Sequence, residues 1–188
     1  SYLYLPWISS QFQEDYINKD KDNYILKYNY ENRLIVRMGY NYSYNSAGGA
    51  LVNNTITTNS YSIRAGFESA GNILYGISKM INMRKNKDGE YAILGIPYAQ
   101  YLKGDFDFAK NIIIDHRNSL AFHAGIGIAV PYGNAKVVPF EKRYFSGGAN
   151  SVRGWSVRNL GPGSFAGDGN FMNQSGDIKL DASIEYRT

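Results

Sequence analysis

Asn118-Ser-Leu-Ala-Phe-His-Ala-Gly-Ile-Gly-Ile-Ala-Val-Pro131 reads as a strand without help from its surroundings. Leu120, Phe122, Ala124, Ile126, Ile128 and Val130 alternate with Ser119, Ala121, His123, Gly125, Gly127 and Ala129. A period of two places every large apolar group on one face of an extended chain. Crossing an apolar band ~25 Å tall at ~40° tilt takes about ten residues, and this run is long enough. The opposite face is small. Glycine is common in curved barrel strands, and a small face also leaves room for a loop folded against it; the residues admit both readings.

Other segments repeat the pattern. Across 33–45, Leu34, Val36, Met38, Tyr40, Tyr42 and Tyr44 oppose Arg33, Arg37, Gly39, Asn41 and Ser43, with only Ile35 out of phase. The order, aliphatic first and tyrosine last, predicts a lipid-facing stripe ending in an aromatic girdle. Tyr40, Tyr42 and Tyr44 would then lie near one rim and Leu34 and Val36 nearer mid-membrane. Across 58–69, Tyr61, Ile63, Ala65 and Phe67 oppose Ser60, Ser62, Arg64, Gly66 and Glu68. Across 95–109, Ile96, Tyr98, Leu102, Phe106 and Phe108 point outward against Tyr101, Lys103, Asp105 and Asp107. Across 175–187, Ile178, Leu180, Ala182, Ile184 and Tyr186 oppose Asp177, Lys179, Asp181, Ser183, Glu185 and Arg187. Between them lie a turn at 46–57 and a long connection at 70–94, with a short helix expected over Ile73–Met83 and a charged tip over Lys85–Glu90. Residues 2–8 read as a short strand, and 9–32 as a charged connection with a helix or hairpin near Tyr24–Tyr30.

Composition narrows the class. The 188 residues include 17 tyrosines and 15% aromatics, yet mean hydropathy is −0.38 and no apolar run is long enough for a transmembrane helix. Strands that alternate average to such a value. A soluble sandwich would also alternate, but its apolar face would need a second sheet of equal area. The absence of cysteine excludes a disulfide scaffold and thiolate zinc sites. A net charge of +4, scattered along the chain, does not mark a nucleic-acid partner. Ser1-Tyr-Leu-Tyr-Leu-Pro-Trp7 lacks the basic start and cleavage site of a signal peptide, and Thr188 directly follows a strand. Both ends read as cut, so a longer parent chain is expected.

The segment Pro139-Phe-Glu-Lys-Arg-Tyr-Phe-Ser-Gly-Gly-Ala-Asn-Ser-Val-Arg-Gly-Trp155 behaves differently. It is too polar and Gly-rich for a strand, yet carries Phe140, Tyr144, Phe145, Val152 and Trp155. Such a loop is expected to fold back and bury itself. Gly147, Gly148 and Gly154 permit the turns required. Arg153, set between Val152 and Gly154, would then need a fixed carboxylate.

This loop, Phe145-Ser-Gly-Gly-Ala-Asn-Ser-Val-Arg-Gly-Trp155, resembles the inward-folded loop of the BamA/TamA superfamily of bacterial outer-membrane assembly barrels. The family pattern of Gly-Gly followed by Val-Arg-Gly-aromatic stands at Gly147, Gly148, Val152, Arg153, Gly154 and Trp155. Arg158-Asn-Leu-Gly-Pro-Gly-Ser-Phe165 and Gly176-Asp-Ile-Lys-Leu…Ile-Glu-Tyr-Arg187 are similar to the same family, and the wording is nearest its TamA-like (TamL) branch. The resemblance implies an all-β, antiparallel transmembrane β-barrel. This chain, 1–188, would be an incomplete segment of about six or seven strands, with the motif on a long inward-folded loop at 133–174.

The implied function is non-enzymatic: insertion, assembly or translocation of proteins at the outer membrane, through a weakly paired seam whose strands lie outside this chain. A two-partner-secretion pore and an outer-membrane hydrolase are the alternatives. Implied partners are the lipid bilayer, unfolded outer-membrane proteins and a TamB-like inner-membrane-anchored or periplasmic partner. No cofactor or metal is expected: His116 and His123 lack ligand spacing, and no HExxH or Gly-x-Ser-x-Gly is present. His123 beside Asp105 and Asp107 reads as a polar barrel lumen. The family's loop arginine pairs with a strand-end glutamate, which maps onto Arg153 and Glu185, with Asp181 the fallback. With the motif loop extracellular, strand parity makes 46–57 and 110–117 periplasmic turns and 9–32 and 70–94 surface loops.

Overall fold

The computed structural model describes residues 2–3, 32–46, 51–52, 55–56, 59–149, 151–160, 163 and 175–188. The expectations for 4–31 and for most of 161–174 fall outside the described residues. The strands are β1 (Tyr2–Leu3), β2 (Arg33–Leu34), β3 (Arg37–Asn45), β4 (Leu51–Val52), β5 (Thr55–Ile56) and β6 (Ser60–Ala70). Helix α1 (Asn72–Met80) follows, then β7 (Ala92–Ile93), β8 (Ile96–Pro97), β9 (Tyr101–Ile113), β10 (Ser119–Pro131) and β11 (Ile178–Arg187).

Five long strands form one antiparallel sheet in the order β11-β10-β9-β6-β3. The fold is an incomplete all-β barrel segment: among the described residues β3 and β11 lie at the edges of the sheet, and five strands take part in it against the expected six or seven, the other described strands being two-residue pairs outside it.

Register confirms the two faces. Asn41, Gly66, Asp105, Gly127 and Lys179 share one inward row, and Ser43, Arg64, Asp107, Gly125 and Asp181 share the next. The outward rows read Tyr40, Phe67, Gly104, Ile128 and Ile178, then Tyr42, Ala65, Phe106, Ile126 and Leu180. Among the described strand residues the outward face carries one charge, Lys110, between Tyr61 and Phe122. It lies close to the end of β9, within reach of the polar rim for a long side chain.

Four expectations need correction. The strand expected at 95–109 begins at Tyr101 and runs to Ile113, so the turn expected at 110–117 shrinks to 114–118. Tyr98 does not point outward. It is fully buried, and its phenol lies 3.3 Å from the Ser78 hydroxyl under α1. The segment 33–45 breaks after Leu34, and the phase slip noticed at Ile35 is the break itself. Leu34 and Val36 consequently lie beyond the sheet, at the end where Gly71 N donates to Val36 O and Ala99 N to Leu34 O. The tyrosine stripe therefore runs the length of β3, with Tyr40 opposite Phe67 and Tyr44 opposite Ile63, instead of gathering at one rim.

Connections sort by length. The links 46–59 and 114–118 join strands at one end, whereas 71–100 and 132–177 cover the other. At the covered end, Ile35, Ala70, Ala99, Tyr101, Ala129 and Val138 form a small core with Tyr144 against it. A polar clamp lies beside it. Gln100 Oε1 accepts from Asn134 N at 2.8 Å and Gln100 Nε2 donates to Asn72 Oδ1 at 3.1 Å. Asn134 Nδ2 donates to the carbonyls of Tyr91 and Tyr98, both at 3.0 Å. Arg33 and Glu90 pair at 3.1 Å, both buried. Helix α1, expected at Ile73–Met83, is present and shorter. It ends where Asn82 takes φ 49°, with Asn82 N donating to Lys79 O and Met83 N to Ser78 O. This is the left-handed stop that asparagine tolerates.

Candidate functional site

Residues 142–144 of the connection 132–177 lie against the inner wall of β9 and β10. Tyr144 is its anchor. The Tyr144 hydroxyl donates to Asp105 Oδ1 at 2.6 Å and to Gly104 O at 3.2 Å, and Lys103 Nζ sits 4.1 Å from the ring centroid. The ring lies over Gly127, where an added Cβ would come within 2.6 Å of it. Of the two readings of the small face of β10, the structure thus bears out the one that reserves space for the loop. Tyr144 also exchanges two backbone bonds with Gly176, at 2.9 and 2.8 Å, so the outgoing and returning arms are stitched together.

Charge fixes the same arm. Arg143 Nε donates to Asp177 Oδ1 at 3.0 Å. Lys142 Nζ lies 3.1 Å from Glu68, which also accepts from Arg37 and from the Tyr101 hydroxyl. A single inward carboxylate on β6 therefore gathers β3, β9 and the loop. Deeper on the wall, His123 Nε2 lies 3.2 Å from Asp107 and Nδ1 3.1 Å from Asp181, while Lys179 reaches Asp181 at 3.1 Å. This is a polar lining shared by three strands, with Ser183 directly opposite His123 in the register of β10 and β11.

The motif residues themselves form a tight return. Gly147 and Gly148 take φ 97° and 88°, and Gly148 N donates to Trp155 O at 2.8 Å. A Cβ on Gly147 would meet Ser156 O at 2.3 Å, so both glycines are required by conformation and by space. Val152, Arg153, Gly154 and Trp155 lie at the exposed outer bend of this return. Of the apolar loop residues expected to be buried, Phe140 and Tyr144 are half-buried, whereas Phe145, Val152 and Trp155 are exposed, because only the Tyr144 arm is pressed against the sheet. Glu185 sits inward opposite Ala121 and accepts from Arg187 at 3.2 Å.

One residue was not anticipated. Arg158, at φ 65°, places its guanidinium 4.3 Å from the Phe140 ring and 4.9 Å from the Phe145 ring, and its N–H donates to Ser146 O at 3.0 Å. Phe140 and Phe145 both precede Gly147 and Gly148, so only the chain reversal at the two glycines brings Arg158 over their rings.

These features define a membrane barrel wall with a loop strapped to its lumen side. The Omp85 superfamily domain matches residues 7–188. The chain belongs to the Omp85 superfamily, and its sheet is part of a β-barrel of the bacterial outer membrane. It is also similar to the outer membrane protein assembly factor BamA of Neisseria meningitidis serogroup B (strain ATCC BAA-335 / MC58), with 37% identity over 60 residues. The matched stretch covers 32% of this chain and 8% of that protein.

Proposed function

We propose that this chain is the loop-bearing wall of an Omp85 barrel that assembles or translocates proteins at the outer membrane, without catalysing a covalent reaction. The observation that carries the reading is the strap itself. A Gly-Gly/Val-Arg-Gly-Trp loop is held on the inner wall by Tyr144 over Gly127, within a chain whose length the Omp85 domain matches almost throughout. The assembly role is carried over from the BamA relative, whose name states it. The working part would be the weakly paired seam expected of the whole barrel, distinct from the edges of this sheet, where an exposed strand can template an incoming one. The bilayer and unfolded outer-membrane proteins are the partners this role requires, and the TamL-like wording of Arg158-Asn-Leu-Gly-Pro-Gly163 supports the TamA-like branch with a TamB-like partner. Nothing in the described residues favours the pore or hydrolase alternatives.

Within this reading, the 133–174 loop acts as a unit through Gly147, Gly148, Val152, Arg153, Gly154 and Trp155, and the Arg153 guanidinium serves Glu185. Asp181 is the weaker candidate, since His123 and Lys179 already occupy it. A double-mutant cycle over Arg153→Ala and Glu185→Gln in the full-length protein should show losses smaller together than their sum; strict additivity would remove the pairing. The role is tested by reconstituting the full-length protein in vesicles and following the folding of a urea-denatured outer-membrane barrel by its heat-modifiable gel mobility. Faster folding than in empty vesicles is expected. Equal rates would leave assembly unsupported.

A further inference from the structure

Helix α1 has two apolar faces, and only one of them is used. At 100° per residue, Leu74, Tyr75 and Ser78 fall within about 100° of arc. This is the side on which Ser78 is fully buried against Tyr98 and Tyr75 meets the Tyr91 ring edge-on at 5.8 Å. Ile73, Ile77, Met80 and Ile81 fall within a neighbouring sector of about 100°, and they are 54%, 46%, 86% and 61% exposed. Four large apolar groups in one stripe call for a cover.

The surroundings say what the cover is. The stripe begins at a groove of about 350 Å³ that Ile73 shares with Val36, Met38, Tyr40 and Phe67. Met38, Tyr40 and Phe67 belong to the outward, lipid-facing rows of β3 and β6, and Asn72 donates to the outward Ser69 hydroxyl. The exposed stripe is thus continuous with the lipid-facing surface at the rim. Basic groups lie around it: Lys79 on the far side of the helix, 5.0 Å from the Tyr75 ring centroid, then Arg84, Lys85 (5.2 Å from the Tyr91 ring centroid) and Lys87 in the turn beyond, against the exposed Asp88 and the buried Glu90. An apolar stripe at the rim with cations beside it matches the boundary between acyl chains and phosphate headgroups.

We propose that α1 is an interfacial helix, with Ile73, Ile77, Met80 and Ile81 seated in the acyl–headgroup boundary and Lys79, Arg84, Lys85 and Lys87 facing lipid phosphates. The proposal rests on the barrel reading. It gives the 71–100 connection a second task, fixing the height of the β6–β9 end of the sheet in the bilayer.

The 188 residues contain no cysteine, so single introduced cysteines can be spin-labelled. Ile77→Cys, Lys79→Cys and Ile126→Cys are prepared in the full-length protein in vesicles of phosphatidylcholine with one-third phosphatidylglycerol. Relaxation by oxygen, which partitions into lipid, is compared with relaxation by a water-soluble nickel chelate. Oxygen should dominate at Ile77 and Ile126, and nickel at Lys79. Nickel dominance at Ile77 would place the stripe in water, and protection from both agents would place it under protein; either overturns the proposal while Ile126 still reads lipid. Failure at Ile126 itself would overturn the barrel reading instead. Changing Arg84, Lys85 and Lys87 together to Gln should lower the Ile77 oxygen-to-nickel ratio in the anionic vesicles and leave it unchanged in pure phosphatidylcholine. An unchanged ratio in both would remove the phosphate contact.

Discussion

Gly127 carries the closest approach between strand and loop, because the Tyr144 ring fills the volume that any side chain there would take. The contact joins hydrogen bonding to packing: the phenol reaches Asp105 only when the ring can lie flat on β10. Gly127→Ala should therefore lift Tyr144 off the wall and cost about 1–3 kcal/mol, the usual range for overpacking. Gly76→Ala is the control, since an added Cβ there meets nothing within 4 Å. Thermal unfolding of the two variants in detergent checks this; an equal midpoint for both would show that the strap contributes no stability. Tyr144 and Gly127 are also where reading the sequence came nearest to the geometry. A small inner face followed by an aromatic-rich loop admitted this packing as one of two readings, and the position of the Tyr144 ring over Gly127 selects it. Arg158 was not legible, because its two phenylalanine partners come together only after the Gly147–Gly148 return has reversed the chain.

Individual strands were legible wherever large apolar and polar groups alternate, as in β6, β10 and β11, since period two reports the face directly. It reports the ends less well. Ile112, Ile113 and Ile114 are apolar in succession and mask the close of β9, while Tyr98 keeps the strand's phase yet belongs to a buried rim core fed from α1. Turns carry their own chemistry. In 114–118, Asp115 accepts from the Asn118 side-chain amide and from the backbone N–H groups of Arg117 and Asn118. The Asn118 amide, then the Arg117 N–H, hold its carboxyl below the ordinary carboxylate range. A carboxyl depressed in the folded state lends stability above its unfolded pKa and loses it as pH falls through the folded value. The turn should accordingly stay ordered at neutral pH and loosen in acid below the normal aspartate range, on a surface that screens the effect. Amide exchange at Arg117 and Asn118 across pH 6 to 2 measures this, in roughly the interval around an aspartate's ~3.9. Asp115→Asn should flatten the profile; a profile identical to wild type would show that the carboxylate does not organise the turn.

At the scale of the molecule, one sheet separates two environments. Among the described residues its outward rows carry a single charge, Lys110, and its inward rows carry Glu68, Asp105, Asp107, His123 and Asp181 with their partners. The 71–100 and 132–177 connections leave one end of the sheet, while the shorter 46–59 and 114–118 links leave the other, the asymmetry of barrels that keep one side compact. Depth should then govern tolerance. Ile126→Arg, in the middle of β10, should cost about 2–4 kcal/mol, against about 0–1 kcal/mol for Leu120→Arg beside the 114–118 turn. Refolding into vesicles of defined thickness reads both, and equal costs would argue for a soluble sandwich. The most direct measurement scans single cysteines from Ser119 to Val130 in the full-length protein, each carrying a fluorophore quenched by brominated lipid chains. Strong quenching is expected at 120, 122, 124, 126, 128 and 130 and weak quenching at the odd positions between them. Quenching that fails to alternate, or even-numbered sites shielded from lipid, would contradict a membrane-spanning wall.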